Sequence, residues 1–223
     1  MTPAELYDRM YSERPENDMS LEEATLFDVA RQRLSNGSSI IDIGCGAGNI
    51  ALRLKEMGFQ VTGVDHSPVA ASLAAENGID CRVVDVDKQD LPFAENSCDA
   101  AWAGDVIEHV FDPIGLLRKV RCVLKPGGFV FISVPNELPL RTRCRILLNG
   151  KSIHSYVYGR FEIDHHHTHF TQDLVELVIR KAGLRQISLG GVLRLPFAAS
   201  ERFSYSRPLS RWFGRAFVCI AQK

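Results

Sequence analysis

The chain has 223 residues, of which 45% are hydrophobic and 24% are charged, and its 26 basic and 27 acidic side chains leave a net charge of −1. This composition is that of a globular protein, and it excludes disordered, collagen-like and strongly charged classes. The six cysteines form no C-x-x-C pair, which argues against a zinc ribbon or a disulfide scaffold and favours a reducing cytoplasm. No apolar run reaches the length of about 18 residues that a membrane span requires, so none is predicted.

Charge is divided unevenly along the chain. Residues 1–137 carry 12 basic and 22 acidic side chains, whereas residues 138–223 carry 14 basic and 5 acidic ones. The positive excess in the later part favours an anionic ligand. The alternative is that the two sets of charges neutralise each other across the folded surface.

Strand and helix patterns alternate from residue 20 to residue 134. A capping box formed by Ser20 and Glu23 predicts the start of a helix that ends before Asn36. Strands are predicted at 40–43, 59–64, 80–84, 99–103 and 129–134, and further helices at 49–57, 68–77 and 113–124. Such alternation is typical of an α/β fold around a mostly parallel sheet.

The alternation stops after Pro135. Residues 136–170 show no clean period, after which a helix is predicted at 171–182 and strands near 186–193 and 216–221. The segment 202–213 mixes arginine with aromatic residues. We expect it to connect the last two strands, the alternative being contact with a membrane surface or a partner.

A glycine-rich turn, G-x-G-x-G at 44–48, follows the first predicted strand. Asn49 stands where a dinucleotide fingerprint requires its third glycine, and no Gly-Lys-Ser/Thr of a Walker A loop follows. Asp65 ends the second strand, where a carboxylate can accept hydrogen bonds from both hydroxyls of a ribose. The turn and the acid together indicate a nucleoside ligand without a diphosphate.

Five motifs in a fixed order carry a family resemblance. They read IIDIGCGAGNIA, VTGVDHSP, VVDVDKQDLPF, CDAAWAGDVIEHV and VLKPGGFVFISVPN. Through them the chain resembles the class I S-adenosylmethionine-dependent methyltransferases that act on small molecules. The resemblance implies a Rossmann-like, seven-stranded, mostly parallel sheet with an antiparallel last strand and helices on both faces. It also implies one domain over residues 1–223, with a helical cap at 1–36 and a substrate lid at 136–170.

The resemblance further implies S-adenosylmethionine as the methyl donor and S-adenosylhomocysteine as the product. The three glycines would pass beneath the methionine part of this cofactor, Asp65 would bind its ribose and Asp87 its adenine amino group. Asp42 would help orient the ammonium group. The full set of predicted cofactor residues is Asp42, Gly44, Gly46, Gly48, Asp65, Asp87 and Asp105.

Histidines are the candidates for catalysis. A hydroxyl acceptor requires a base to remove its proton, and histidine is the usual residue near neutral pH. His109 follows the fourth strand on the cofactor side, and His165, His166 and His167 precede the helix at 171–182. If that run is extended, its side chains alternate in direction, so only some of them can face the cleft. The alternative for His109 is that it packs against the following segment.

A divalent metal is an alternative to the base. Similarity to plant-type small-RNA 2′-O-methyltransferases suggests that Asp105, Glu108, His109 and one histidine of 165–167 hold Mg, Mn, Fe or Zn. Asp105 stands where those enzymes have a glutamate, and its shorter side chain argues against this site. The preferred interpretation therefore includes no metal ligand.

The acceptor is predicted from the lid. Its five cations favour an anionic small molecule, and its aromatic residues offer a stacking surface: Arg141, Arg143, Arg145, Lys151 and Arg160, with Tyr156, Tyr158 and Phe161. The alternative is a solvated loop whose aromatic side chains turn into the core.

The sequence thus predicts a cytoplasmic O-methyltransferase that modifies a small metabolite or biosynthetic intermediate with the help of a histidine base, as a monomer or homodimer. One alternative is a metal-assisted RNA 2′-O-methyltransferase, for which a nucleic acid is the acceptor. Another is a non-catalytic regulatory subunit that only binds the cofactor.

Overall fold

A mixed sheet organises the residues that the computed structural model describes, namely 19–149, 166–193 and 200–223. Its strands run in the order β3-β2-β1-β4-β5-β8-β6-β7. In chain order they are β1 (Ser39–Ile43), β2 (Gln60–Asp65), β3 (Asp80–Val83), β4 (Cys98–Gly104), β5 (Leu124–Pro135), β6 (Arg185–Leu193), β7 (Arg202–Ser204) and β8 (Gly214–Gln222).

Strands β1 to β5 pair in parallel, and β8 lies antiparallel between β5 and β6. This arrangement confirms the α/β class and the antiparallel last strand. Within the described ranges, however, the sheet has eight strands and not the predicted seven, because β7 adds an antiparallel edge strand beside β6. With only three residues, β7 is too short to show an alternating pattern in the sequence.

Seven helices in the described ranges surround this sheet. They are α1 (Leu21–Arg33), α2 (Asn49–Glu56), α3 (Pro68–Glu76), α4 (Pro113–Val123), α5 (Leu140–Leu148), α6 (Gln172–Lys181) and α7 (Arg207–Phe213). None of them is both long enough and apolar enough to cross a membrane.

Side chains that cap the helix starts explain several of the predicted bounds. Ser20 and Glu23 form the expected capping box, with hydrogen bonds of 3.2 and 2.8 Å, at the start of α1. Ser67 and Asp112 cap α3 and α4, each followed by a proline at the first helical position.

Helices α5 and α7 were not predicted. Helix α5 has no buried residue, so its short apolar stripe does not dock on a core. The segment 202–213 lies between β6 and β8, the two strands that it was expected to connect, but it contains β7 and α7. Of the predicted cap and lid, residues 1–18 and 150–165 lie outside the described ranges.

The sheet separates two apolar cores because successive strand residues point to opposite faces. Ile40, Trp102 and Phe131 pack with α1 on one face, whereas Ile41 and Ile132 pack on the other face, where α4 and α6 dock. Helices therefore cover both faces, and the carboxyl ends of the parallel strands are left free to form a site.

Candidate active site

The glycine turn joins the end of β1 to the start of α2. The backbone N–H of Gly44 donates to the carbonyl oxygen of Val64 on β2 at 2.7 Å. At Gly44 φ is +66°, and a Cβ there would stand 2.8 Å from the side chain of Val106, beyond the end of β4. Glycine is required at this position both by the left-handed backbone and by the close approach of the β4 end.

Asp65, at the end of β2, is held by the backbone on both sides. Its Oδ2 accepts the N–H of Gly46 and its Oδ1 accepts the N–H of Ser67, both at 2.9 Å. The residue is 4% exposed. A carboxylate has about four acceptor positions, so this pair of hydrogen bonds fixes the group and leaves acceptor capacity for a ligand.

Asp42 is a buried acid without a cation beside it among the described residues. It is 2% exposed, and its Oδ2 has no hydrogen-bond partner in the part of the chain described. Burial raises the pKa of this carboxyl to about 8, and the charge of Asp65 adds to the effect, whereas a backbone hydrogen bond from Ala51 opposes it. A positively charged ligand group at this point would favour the ionised form.

The other two acids predicted at the cofactor make different contacts. Asp87 is exposed, and its Oδ1 accepts the backbone N–H of Phe111 at 3.0 Å, which ties the loop after β3 to the loop before α4. Asp105 has a φ of 52° and accepts a hydrogen bond from the Ser133 hydroxyl at 3.2 Å. Desolvation by the surrounding protein raises the pKa of the Asp105 carboxyl, and the negative charge of Glu22 raises it further.

A cluster of side chains lies beyond the ends of β4 and β5. Glu108, His109 and His166 each offer a ligand atom, and these atoms lie within 4.8 Å of one another. The rings of the two histidines are 4.8 Å apart, edge to face. His166 Nδ1 is 2.9 Å from Oε1 of Glu137, and both side chains are largely buried.

Backbone hydrogen bonds bring these distant segments together. The N–H groups of His167 and Thr168 donate to the carbonyl oxygen of Glu108 at 2.8 and 3.0 Å. The N–H of Glu137 donates to the carbonyl oxygen of Phe170, a fully buried residue, at 3.2 Å. The C-terminal end of the predicted lid is thereby fixed against the carboxyl ends of β4 and β5.

Glu108 is the most deeply buried member of the cluster. It is 1% exposed, and its Oε2 has no hydrogen-bond partner among the described residues. Burial raises the pKa of this carboxyl well above its usual value, and the charge of Asp105 contributes further. The cluster therefore presents one unpartnered oxygen together with two imidazole rings.

The structure separates the predicted histidines. It brings His109 and His166 together, whereas the ring of His167 stacks on Phe111 with 4.0 Å between centroids. His165 lies outside the described residues. Sequence reasoning missed Glu137, although its place just after β5, at the same edge of the sheet as His109, was an available signal.

Several of the late-chain arginines are paired within the protein. Arg215 makes a two-pronged contact with Glu22 at 2.7 Å, and Arg207 and Arg211 bind the acids of α6. The guanidinium of Arg143 lies over the Trp212 ring, 4.9 Å from its centroid. Of the residues predicted to form the acceptor surface, Lys151, Tyr156, Tyr158, Arg160 and Phe161 lie outside the described ranges.

A methyltransferase domain family matches residues 41–132. Over 177 residues the chain is 31% identical to a ubiquinone biosynthesis O-methyltransferase of Xanthomonas axonopodis pv. citri, which covers 75% of this chain and 71% of that protein. The chain belongs to the class I S-adenosylmethionine-dependent methyltransferases. The family implies S-adenosylmethionine as the cofactor of this enzyme.

Solved structures agree with this methyltransferase fold. An S-adenosylmethionine-dependent methyltransferase from Thermotoga maritima superposes with a TM-score of 0.68 at 20% identity, covering 98% of this chain and 92% of that one. One from Archaeoglobus fulgidus gives a TM-score of 0.64 at 16% identity, with full coverage of both chains. At these identities the likeness concerns the fold alone.

The described residues fit the cofactor. Asp65 is a fixed carboxylate suited to the two ribose hydroxyls, and Asp42 offers an unpartnered buried oxygen suited to a cationic group. Gly44 lacks the Cβ that would meet Val106, so the turn can pass close to the end of β4.

Proposed function

We propose that this methyltransferase transfers a methyl group to a hydroxyl oxygen of a small, anionic biosynthetic intermediate, with His166 as the general base. The observation that carries the proposal is the 2.9 Å contact between His166 and Glu137, beside His109 at the carboxyl edge of the sheet. The name of the Xanthomonas relatives supports oxygen as the acceptor atom and a biosynthetic intermediate as the substrate.

The cofactor residues position the donor. S-adenosylmethionine, when bound, supplies a methyl group that its sulfonium already activates. Asp65 would hold the ribose hydroxyls, while Asp42 would stabilise the cationic methionine end. The remaining task of the protein is to align the acceptor oxygen in line with the methyl group at about 3–3.5 Å and to exclude water.

The Glu137–His166 pair supplies the base. With Nδ1 directed to the Glu137 carboxylate, the Nε2 atom of His166 is left to take the hydroxyl proton of the acceptor. Glu137 then stabilises the imidazolium that forms, as a carboxylate does behind the histidine of a catalytic triad. Because both side chains are largely buried, water screens this interaction weakly.

A divalent cation is the second candidate for activating the hydroxyl. Glu108, His109 and His166 would hold it, and one carboxylate with two imidazoles suits Mn, Fe or Zn. The observation that favours this alternative is the buried, unpartnered Oε2 of Glu108. A cation bound there would lower the pKa of an acceptor hydroxyl.

Labelled methyl transfer tests the proposal. The purified protein is incubated with methyl-labelled S-adenosylmethionine and a cell extract, the labelled product is identified, and turnover is then measured on that acceptor. We expect His166→Ala to lower kcat by about 100-fold or more while cofactor affinity stays unchanged. Exhaustive dialysis against a chelator should leave the wild-type rate intact if His166 acts as a base.

The control is Glu95→Gln, which changes an exposed acid far from the cluster in sequence and should turn over like the wild type. If the chelator abolishes activity and one added metal restores it, the hydroxyl is activated by a cation and not by His166 as a base. Label on nitrogen or carbon of the product, or on RNA, would contradict O-methylation of a small molecule.

A further inference from the structure

Two thiols contact each other at the glycine turn. Cys45, between Gly44 and Gly46, has its Sγ 3.1 Å from the Sγ of Cys81 on β3. Strand β2 runs between the two segments, and Gly63 faces the thiols at this point. Any side chain at Gly63 would occupy the position of the Cys45 sulfur, so the absence of a Cβ there makes the contact possible.

The two thiols differ in exposure. Cys45 is 8% exposed, whereas Cys81 is only partly buried, so a reagent in solution reaches Cys81 first. The hydrogen bond between the two thiols lowers the pKa of the Cys81 thiol and raises that of Cys45. Cys81 is thereby suited to attack an oxidant, and Cys45 is placed to resolve the product.

We propose that Cys45 and Cys81 form a reversible disulfide that lowers the affinity of the enzyme for S-adenosylmethionine. This inference rests on the glycine turn as the cofactor site, but on neither the acceptor nor the base. It adds a modification site to the methyltransferase. Transient disulfides of this kind are the ones that occur in reducing compartments.

The chemistry requires a low-molecular-weight disulfide as the oxidant. The Cys81 thiolate attacks one sulfur of that disulfide, the S–S bond breaks, and one thiol leaves. The Cys45 thiolate then attacks the Cys81 sulfur, and the second thiol leaves. In total the two cysteines lose two electrons and two protons. The two released thiols take up these electrons and protons.

The consequence for the cofactor follows from the geometry of the turn. A disulfide has an S–S distance of about 2.05 Å, so the sulfurs must approach by about 1 Å. The Cys45 backbone is bound to Val64, and its neighbour Gly46 donates to Asp65, the proposed ribose acceptor. Tightening the cysteine pair therefore displaces the segment that both cradles the methionine part and orients Asp65.

The test uses the full chain with oxidised glutathione as the probe. Intact mass and peptide mapping follow the bond, and calorimetry measures the affinity for S-adenosylmethionine before oxidation, after it and after reduction with dithiothreitol. We expect a loss of two hydrogen atoms, a peptide that links Cys45 to Cys81, and an affinity lower by about tenfold that dithiothreitol restores. Saturating S-adenosylmethionine should shift the equilibrium with glutathione toward the reduced pair by the same factor, because the coupling is reciprocal.

Two variants separate this bond from other thiol chemistry. Cys81→Ser should retain its affinity after oxidation, whereas Cys122→Ser, which changes an exposed cysteine on α4, should respond like the wild type. The proposal is overturned if Cys45 and Cys81 both stay alkylatable after oxidation, or if the bond forms and affinity is unchanged. If the reduced protein fails to bind S-adenosylmethionine, both the effect on affinity and the proposed cofactor site are overturned. Mass analysis still decides in that case whether the disulfide forms.

Discussion

The two halves of the proposed site are built in different ways. The cofactor half, around β1 and β2, uses backbone groups: Gly46 and Ser67 donate to Asp65, and Gly44 donates to Val64. The acceptor half, beyond β4 and β5, depends on side chains that lie far apart in sequence. There Glu137 meets His166 across 29 residues. The first half would bind a common cofactor through local backbone geometry, and the second would be free to vary with the substrate.

Removing Asp65 should break the cofactor half. Asp65→Ala deletes the proposed acceptor of two ribose hydrogen bonds and leaves the N–H groups of Gly46 and Ser67 without that partner. Each hydrogen bond to a charged group contributes about 1.5–3 kcal/mol, so we expect the affinity for S-adenosylmethionine to fall by about 100- to 10,000-fold. Calorimetric titration measures this, with the exposed Asp90→Ala as the control, and equal affinities would refute the role of Asp65.

Asp42 should make the free energy of unfolding depend on pH. Its pKa in the folded chain is about 8 against 3.8 for the free side chain. Between these values the folded chain keeps a proton that the unfolded chain has lost, so the free energy of unfolding falls as pH rises. We expect Asp42→Asn to reduce that fall by about 3 kcal/mol between pH 5 and pH 8, measured by urea unfolding. Parallel curves for both proteins would contradict the buried, protonated carboxyl.

Neutralising Glu137 should weaken the acceptor half alone. Glu137→Gln keeps the size of the side chain but removes the charge that orients His166 and stabilises its protonated form. We expect kcat to fall by about 10- to 100-fold, with the affinity for S-adenosylmethionine and the thermal midpoint unchanged. An equal loss in cofactor affinity would mean that the two halves are not separate.

The smallest expected effect concerns α1, the helix that packs on the sheet face carrying Trp102. Ser20→Ala removes the hydroxyl that accepts the N–H of Glu23 at the start of α1. The loss of this cap should lower the free energy of unfolding by about 1 kcal/mol, measured by denaturant unfolding, without changing kcat. A large drop in kcat would show that α1 takes part in substrate binding.

The local arrangement of the cofactor half could be predicted from the sequence more fully than that of the acceptor half, for physical reasons. The G-x-G-x-G turn and Asp65 are tied to strand ends by local backbone geometry, so their adjacency follows from the α/β pattern. His166 and Glu137 meet only because the C-terminal end of the predicted lid returns to the sheet beside its first residues, and spacing in the sequence does not encode that return. Nothing in the sequence told His166 from His167, whose ring turns to Phe111. The edge strand β7 was too short to leave a pattern.

The ion pair between Glu22 and Arg215 joins residues 193 positions apart. Helix α1 packs its Leu26 and Phe27 on a core that includes Val218 of β8. The docking surface of α1 is therefore incomplete until β8 has inserted between β5 and β6. Because loop-closure entropy opposes contacts between residues so far apart in sequence, we expect this side of the molecule to assemble late in folding.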